Sequence, residues 1–232
     1  MRIQKFLRDQ GMGSLRKCDE LVAMGRVEVN GEPLRDPTAY LKAGDRVSVL
    51  GRDFVFEHDL NKTEIYLRYH KPPNRLATHD DPFGRKTIFE DLREPVLMAE
   101  PRQLLFAGRL DFASRGLMIL STDGKFIQRL THPSGDHSKE YEVMTEDPVR
   151  ADKIAEFSKG MMYAGEHYSP FEYKIEGPRK IRMILHEGRK HEVRNIIQAA
   201  GTEVVDLLRV RMGTYNLDGL AEGQWEMIAE AS

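Results

Sequence analysis

The chain has 232 residues, enough for one large domain or two smaller ones, and 40% of them are hydrophobic, enough for a buried core. Its formal net charge of -2 excludes a protein that coats nucleic acid through bulk charge alone, although it is compatible with a local basic patch. The single cysteine, Cys18, excludes an intrachain disulfide and favours a reducing cytoplasm, and no apolar stretch approaches the length of a membrane span.

The basic charge is concentrated at the N-terminal end of the chain. Residues 1–52 contain ten Lys and Arg against seven Asp and Glu, whereas residues 53–64 contain one against four. Residues 65–232 contain 24 against 26. We therefore predict a small basic domain over 1–52, a linker over 53–64 and a larger domain over 65–232.

The first elements in chain order are two helices followed by strands. Helical periodicity over residues 2–9 places Ile3, Phe6 and Leu7 on one face, and Ser14 is the expected N-cap of the next helix. RVEVNGEPL alternates around an Asn-Gly pair, which is typical of a β-hairpin, and DRVSVL predicts a further strand. The residues expected to face inward from the second helix are Leu15, Cys18, Leu21 and Val22.

From residue 65 onward, short strands alternate with helices. The segments that predict strands are IYLRYHKP, LLFAG, LMIL, KEYEVMT, FEYKI, KIRMIL, VVDLLRVRMG and WEMI, and helices are expected over Val149–Phe157 and 190–200. Strands outnumber helices and several are joined by short turns, so we predict an α+β fold with a mixed, mostly antiparallel sheet. No nucleotide-phosphate motif and no spacing typical of a metal site is present, so no cofactor or metal is expected.

Four segments of the larger domain carry side chains suited to chemistry. In GRLDFASRGLMILSTDG, one acid, Asp111, lies between Leu110 and Phe112, with Arg109 and Arg115 nearby. Such a carboxylate either pins a loop through a salt bridge or takes part in a reaction. The other three segments are HKPPNRLATHDDPFGRKTIFEDL, THPSGDHSKEYEV and HEGRKHEVRNIIQAAGTEVVDLLRVRMG.

Taken in order, these four segments closely resemble the RsuA-like family of pseudouridine synthases, and the resemblance covers essentially the whole chain. The N-terminal helix–helix–β unit resembles the S4-like RNA-binding module through RIQKFLRDQG, the Arg-Lys pair at 16–17 and GRVEVNG. The resemblance implies a pseudouridine synthase catalytic domain that follows an S4-like module. It also implies a reaction that needs no metal, nucleotide or redox cofactor.

The resemblance implies a catalytic role for Asp111, Tyr141 and Arg194. Asp111 is the expected catalytic acid or nucleophile at the ribose, and Tyr141 is expected to stack on the uracil and to accept a proton. A carboxylate in an apolar pocket needs a cation to stay ionised. Arg109 is a possible partner if the segment is extended, but we prefer Arg194 for this pair and expect Arg109 to contact the RNA backbone or help to extrude the target base.

Further contacts to RNA are also implied by the resemblance. Either Leu207 or Leu208 is expected beneath the base, and Lys139 is expected at the substrate. Two departures from the family pattern are Asn74, where a Gly is usual, and Asn195, where a second Arg is common. The second departure implies greater reliance on the N-terminal module for phosphate contacts. The cations of that module expected to contact RNA are Lys5, Arg8, Arg16, Lys17 and Arg26.

The expected function is isomerisation of a specific uridine in ribosomal RNA to pseudouridine, after the base is flipped into a cleft. The expected partner is ribosomal RNA or a ribosomal subunit precursor, with no membrane involved, and the protein is expected to be a cytoplasmic monomer. Two alternatives are a catalytically inactive RNA-binding factor for ribosome assembly and a general RNA chaperone that uses only the N-terminal module.

Overall fold

The computed structural model describes residues 1–57, 64–79, 81–99, 103–132 and 138–229. The chain divides into two compact units. The first comprises Met1–Glu64 with Arg93–Leu104, and the second comprises Ile65–Leu92 with Leu105–Ser232. The segment 93–104 therefore groups with the first unit, although the sequence placed it within the larger domain.

The N-terminal part of the first unit, residues 1–57, contains two helices and a four-stranded antiparallel sheet. Helices α1 (Ile3–Asp9) and α2 (Leu15–Ala23) precede strands β1 (Val27–Val29), β2 (Glu32–Leu34), β3 (Arg46–Val49) and β4 (Arg52–Val55). The sheet order is β2-β1-β3-β4. Asn30 and Gly31 both have positive φ, at 54° and 84°, as a two-residue hairpin turn requires. The predicted helix–helix–β unit is confirmed.

The core of the first unit extends beyond the predicted domain end. Phe6 makes edge-to-face contacts with Phe54 and Phe56, at ring-centroid distances of 6.1 and 5.5 Å. The prediction that the linker starts at residue 53 is therefore wrong, because β4 pairs with β3 and Phe56 is buried. Residues 58–63 of the expected linker lie outside the described residues. Leu15 is 42% exposed, so its predicted inward position is also wrong.

The second unit is built on one large sheet. The strands of the second unit are β5 (Tyr66–Lys71), β6 (Leu105–Ala107), β7 (Arg115–Ser121), β8 (Lys139–Thr145), β9 (Met161–Tyr163), β10 (Glu166–Tyr168), β11 (Glu172–Gly177), β12 (Lys180–Leu185), β13 (Val204–Met212), β14 (Tyr215–Asn216) and β15 (Trp225–Met227). Of these, β9 and β10 form a separate two-stranded sheet. The helices are α3 (Ile88–Asp91), α5 (Gly124–Thr131), α6 (Ala151–Phe157) and α7 (Glu192–Ala199), and α4 (Arg93–Ala99) lies in the segment that groups with the first unit.

The strand order of the large sheet is β11-β12-β8-β13-β7-β5-β15, with β14 beside β13 and β6 beside β7. All described pairs are antiparallel except β13 with β7, which is parallel. The prediction of an α+β fold with a mostly antiparallel sheet is thus confirmed. Because β7 and β13 run side by side in the same direction, the turn before β7 and the helix before β13 reach the same end of the sheet.

Helix α7 packs against the face formed by β8, β12 and β13. Its predicted inward residues, Val193, Ile196, Ile197 and Ala200, are all less than 5% exposed and belong to one hydrophobic cluster. This packing fixes the rotation of the helix and therefore the direction of the side chains on its other face. Among the described residues, no helix is long and apolar enough to cross a membrane.

Candidate active site

Asp111 lies in a tight turn between β6 and β7. The backbone N–H of Ser114 donates to the carbonyl of Asp111 at 3.1 Å, which closes the turn. The extended conformation that a local Arg109–Asp111 pair would require is therefore not adopted here. Leu110 is buried, but Phe112 is 40% exposed, so the two flanking apolar residues do not enclose the carboxylate equally. The Asp111 side chain itself is 38% exposed.

Lys71, at the end of β5, holds this turn from beneath. It is fully buried, and its Nζ donates to the carbonyl oxygens of Ser114 at 2.6 Å, Pro72 at 3.0 Å and Phe112 at 3.3 Å. Burial lowers the pKa of the Lys71 ammonium to about 8, against the effect of the Asp111 carboxylate, which raises it. The sequence offered only a Lys-Pro pair as a signal for this residue, and its role was missed.

Two side chains from the start of α7 approach the Asp111 carboxylate. Arg194 Nε lies 3.9 Å from Oδ2, and His191 Nε2 lies 3.5 Å from Oδ1. No ion pair joins Arg109 to Asp111 in the described part of the chain, and Arg109 is exposed at the cavity. The structure thus brings Asp111 together with Arg194, the preferred partner, and adds His191, for which the sequence suggested no role.

Arg194 is held in place by groups other than Asp111. Its Nη2 donates to the hydroxyl of Ser114 at 3.2 Å, and its Nη1 donates to the carbonyl of Val204 at 3.3 Å. Arg194 Nε and Asp111 Oδ2 form an ion pair, but their separation of 3.9 Å is too long for a hydrogen bond. The buried Ser114 hydroxyl therefore orients the cation, a role that sequence reasoning did not assign.

Tyr141 forms part of the wall of the site from β8. Its half-buried ring packs against the cluster that contains α7, and it lines the same cavity as Asp111. On β13, Arg209 is the residue directly opposite Tyr141 in the antiparallel register. Burial raises the pKa of the Tyr141 phenol, whereas the positive charge of Arg209 lowers it.

Other predicted residues occupy the same cavity. Lys139 lines it and donates from Nζ to the carbonyl of Glu187 at 3.0 Å, and burial lowers the pKa of its ammonium. Of the two leucines considered, Leu207 is 5% exposed and lines the cavity, whereas Leu208 is half-buried. The cavity has a volume of about 200 Å³, and all of its lining residues belong to the second unit.

The expected RNA-contacting cations of the first unit differ in exposure. Lys5, Arg16, Lys17 and Arg26 are exposed. Arg8 is buried, and its Nη2 lies 2.6 Å from Oδ1 of Asp9. The prediction that Arg8 presents a free positive charge is therefore wrong, because its charge is neutralised by its sequence neighbour.

Comparisons with known proteins give this arrangement a family. Residues 65–199 match the family described as RNA pseudouridylate synthase, and residues 1–47 match the S4 domain. An uncharacterized RNA pseudouridine synthase of Borreliella burgdorferi is 31% identical over 229 residues, which cover 98% of this chain and 89% of that protein. A ribosomal large subunit pseudouridine synthase B of Yersinia pestis is 34% identical over 97% of this chain and 71% of its own length.

A solved structure leads to the same family. A crystal structure of a pseudouridylate synthase superimposes with a TM-score of 0.69 and 26% sequence identity, and the match covers 99% of this chain and 96% of that one. The fold and the site define an RNA-modifying enzyme with an appended S4 domain. The chain belongs to the RNA pseudouridylate synthase family, within its RsuA-like branch.

Proposed function

We propose that this protein isomerises a specific uridine of ribosomal RNA to pseudouridine, with Asp111 as the group that acts at the ribose. The observation that carries the proposal is one partly exposed carboxylate in a cavity of about 200 Å³, with Arg194 3.9 Å away and Tyr141 in the same cavity wall. A carboxylate in this setting is accessible to a ribose, as a nucleophile or a charge stabiliser must be.

The chemistry divides among the three side chains. Asp111 attacks or stabilises the ribose carbon while the bond to the uracil nitrogen breaks, and Arg194 stabilises the carboxylate charge. Tyr141 stacks on the detached uracil and accepts the proton that leaves the ring carbon after re-attachment. Leu207 packs beneath the base, and Lys139 contributes to the substrate site from the same strand as Tyr141.

The target base must leave its helix to reach this cavity. Extruding a base costs a few kcal/mol, and contacts to the RNA backbone offset that cost. Arg109 is exposed two residues before the carboxylate, so its guanidinium is available to contact a phosphate or to occupy the space that the extruded base vacates. This assignment is consistent with the absence of an Arg109–Asp111 ion pair in the described residues.

Ribosomal RNA is the proposed substrate because the relative from Yersinia pestis is named for the large ribosomal subunit. We include a ribosomal subunit precursor as the partner, with Lys5, Arg16, Lys17 and Arg26 of the S4 domain as its phosphate contacts. The protein is proposed to act as a monomer in the cytoplasm, which the single Cys18 suits. Light scattering of the purified protein and cell fractionation test these two points.

Replacing Asp111 with Asn tests the proposed function. Asp111→Asn keeps the size of the side chain and removes its negative charge, so we expect RNA binding within about threefold of the unchanged protein and no detectable pseudouridine. Asp152→Asn, the same change at an exposed site outside the cavity, should leave product formation intact. Undiminished pseudouridine from Asp111→Asn would overturn the assignment.

Mapping of pseudouridine identifies the substrate. Ribosomal RNA of both subunits is compared between cells with and without the gene, and between cells complemented with the unchanged protein and with Asp111→Asn. We expect one pseudouridine to disappear without the gene and to return only with the active protein. A complete set of ribosomal pseudouridines in cells that lack the gene would refute ribosomal RNA as the substrate.

A further inference from the structure

Arg209 is a buried arginine in the wall of the cavity, and the proposed reaction leaves it without a role. It is 1% exposed, and its Nε donates to the carbonyl of Leu117 at 2.8 Å. Its Nη2 is buried and has no hydrogen-bond partner among the described residues. An unpartnered buried donor on a charged group is costly, so its retention needs an explanation other than stability.

Two glycines lie against Arg209. Gly116 faces Arg209 across the parallel pair of β7 and β13, and a Cβ at Gly116 would lie 2.3 Å from the carbonyl oxygen of Arg209. A Cβ at Gly108 would lie 3.8 Å from Nη1 of Arg209. Gly108, which begins the GRLD segment, therefore lies beside the guanidinium of Arg209. The backbone of Arg209 is packed closely against Gly116 of the neighbouring strand.

Tyr141 is the reactive side chain nearest to Arg209 in the sheet. The two residues are directly opposite each other in the antiparallel pair of β8 and β13, and both line the cavity. Opposed residues of this kind share one face of a sheet, with Cβ atoms about 5 Å apart. The guanidinium and the phenol therefore project to the same side of the sheet, next to the Asp111 turn.

We propose that Arg209 is a positioning residue which holds the Tyr141 oxygen towards the uracil and stabilises the phenolate form of Tyr141 for proton abstraction. The inference rests on the proposed function and deepens it. Arg209 acts through Tyr141 and does not itself touch the reacting atoms. Its open Nη2 donor is the group that the phenolate oxygen satisfies.

The step assigned to Tyr141 is removal of the proton from C5 of the re-attached uracil. After the ribose carbon bonds to C5 of the uracil, C5 carries both the new bond and its original hydrogen. The phenolate oxygen of Tyr141 takes that hydrogen as a proton, and the C–H electron pair becomes the C5–C6 double bond. The former C6–N1 double-bond pair moves to N1, which takes up a proton, so the product is an isomer of the substrate and no redox partner is needed.

The charges that face Tyr141 come from three elements. Arg209 on β13 favours the phenolate, whereas Glu192 at the start of α7 and Asp111 in the turn disfavour it, as does burial of the ring. Glu192 is itself buried, and burial raises the pKa of its carboxyl. Of the groups that face the phenol, Arg209 is the one whose charge favours ionisation.

Arg209→Gln, assayed with RNA that carries deuterium at C5 of the target uridine, tests the proposal. We expect the single-turnover rate of pseudouridine formation to fall about 100-fold, within the range that a positioned base contributes. The deuterium isotope effect should rise above that of the unchanged protein, because proton abstraction becomes the slow step. Arg209→Lys keeps the charge but has one nitrogen in place of three, so its rate and isotope effect should lie between those of Arg209→Gln and the unchanged protein.

The isotope effect separates this role from a structural one. Misfolding lowers the fraction of active protein, but it does not change the ratio of the rates measured with hydrogen and with deuterium at C5. Arg211→Gln is the matched control: Arg211 lies on the same strand, bonds Glu140 at 2.8 Å and does not line the cavity. A slower reaction with an unchanged isotope effect in Arg209→Gln would overturn the proposal, and Arg209→Lys decides by the same criterion if the Gln variant does not fold. Absence of any product from the unchanged protein would instead contradict the proposed function.

Discussion

Replacement of Lys71 by Met gives the most quantitative test of the site. Lys71 is fully buried beneath the turn that carries Asp111, and it donates to three backbone carbonyls of that region. Met has a similar length, but it has no charge and no donor. We expect Lys71→Met to lower turnover at least about tenfold, because the turn loses the group that fixes its geometry.

The contribution of Lys71 to the pH dependence of the free energy of unfolding follows from the pKa of its ammonium. The ordinary value is 10.5, and burial lowers the pKa in the folded protein to about 8. Between these two values the unfolded chain holds the proton and the folded chain does not, so the free energy of unfolding rises with pH. Below about pH 8 both states hold the proton and the contribution is constant. The complete rise corresponds to about 3 kcal/mol, of which about 2 kcal/mol develops between pH 7 and pH 9.5.

Urea unfolding at pH 7 and pH 9.5, followed by circular dichroism, measures this rise. Other groups titrate in both proteins, so their effects cancel when the curve of Lys71→Met is subtracted from that of the unchanged protein. The difference should grow by about 2 kcal/mol, and the exposed control Lys125→Met should keep the full rise. Parallel curves for Lys71→Met and the unchanged protein would refute the lowered pKa and the reasoning built on it.

Three further substitutions test the packing around the site by urea unfolding. Gly116→Ala should cost about 3–5 kcal/mol, because its Cβ would lie 2.3 Å from a backbone oxygen of the neighbouring strand, whereas Gly165→Ala, with positive φ but open space, should cost only about 1 kcal/mol. Arg115→Gln removes two partly buried ion pairs, so it should lower the free energy of unfolding by about 1–2 kcal/mol. Arg16→Gln, at an exposed ion pair, should lower it by less than about 0.5 kcal/mol. Asn74 has a φ of 62°, so Asn74→Ala should cost about 1 kcal/mol and Asn74→Gly should be nearly neutral. Equal costs within any of these comparisons would contradict the local geometry on which it depends.

Periodicity predicted the regular elements that bury one face. Helix α7 is an example, because its four inward residues repeat at helical spacing and are buried as predicted. The hairpin at Asn30 is another, since few residue pairs adopt two successive positive φ angles. Several short elements were missed, including α3, α4, α5 and the β9–β10 hairpin. Local signals exist for two of them, because Thr87 caps α3 and Asp123 caps α5, but elements this short depend mainly on tertiary packing.

The candidate site was predictable where a residue type is tied to its chemistry. Asp111 and Arg194 are brought together although they are 83 positions apart in the sequence, and no local rule of spacing gives that contact. Residues whose role depends on which way a side chain turns were not predictable. The Arg8 side chain pairs with Asp9, and the Lys71 side chain is buried beneath the turn that carries Asp111. An exposed cation and a buried one look alike in a sequence.

Arg194 and Lys71 place positive charge near Asp111 without forming hydrogen bonds to its carboxylate. A close bidentate arginine would keep the carboxylate charged, but it would also occupy the lone pairs that the proposed attack on the ribose carbon requires. Arg194, anchored on Ser114 and Val204, stays 3.9 Å away, so it supplies positive charge without binding either oxygen closely. Lys71 supplies a second charge from beneath while its donors are taken up by backbone carbonyls. Moving Arg194 closer, for example by removing the Ser114 hydroxyl, should therefore slow the reaction even though the ion pair becomes stronger.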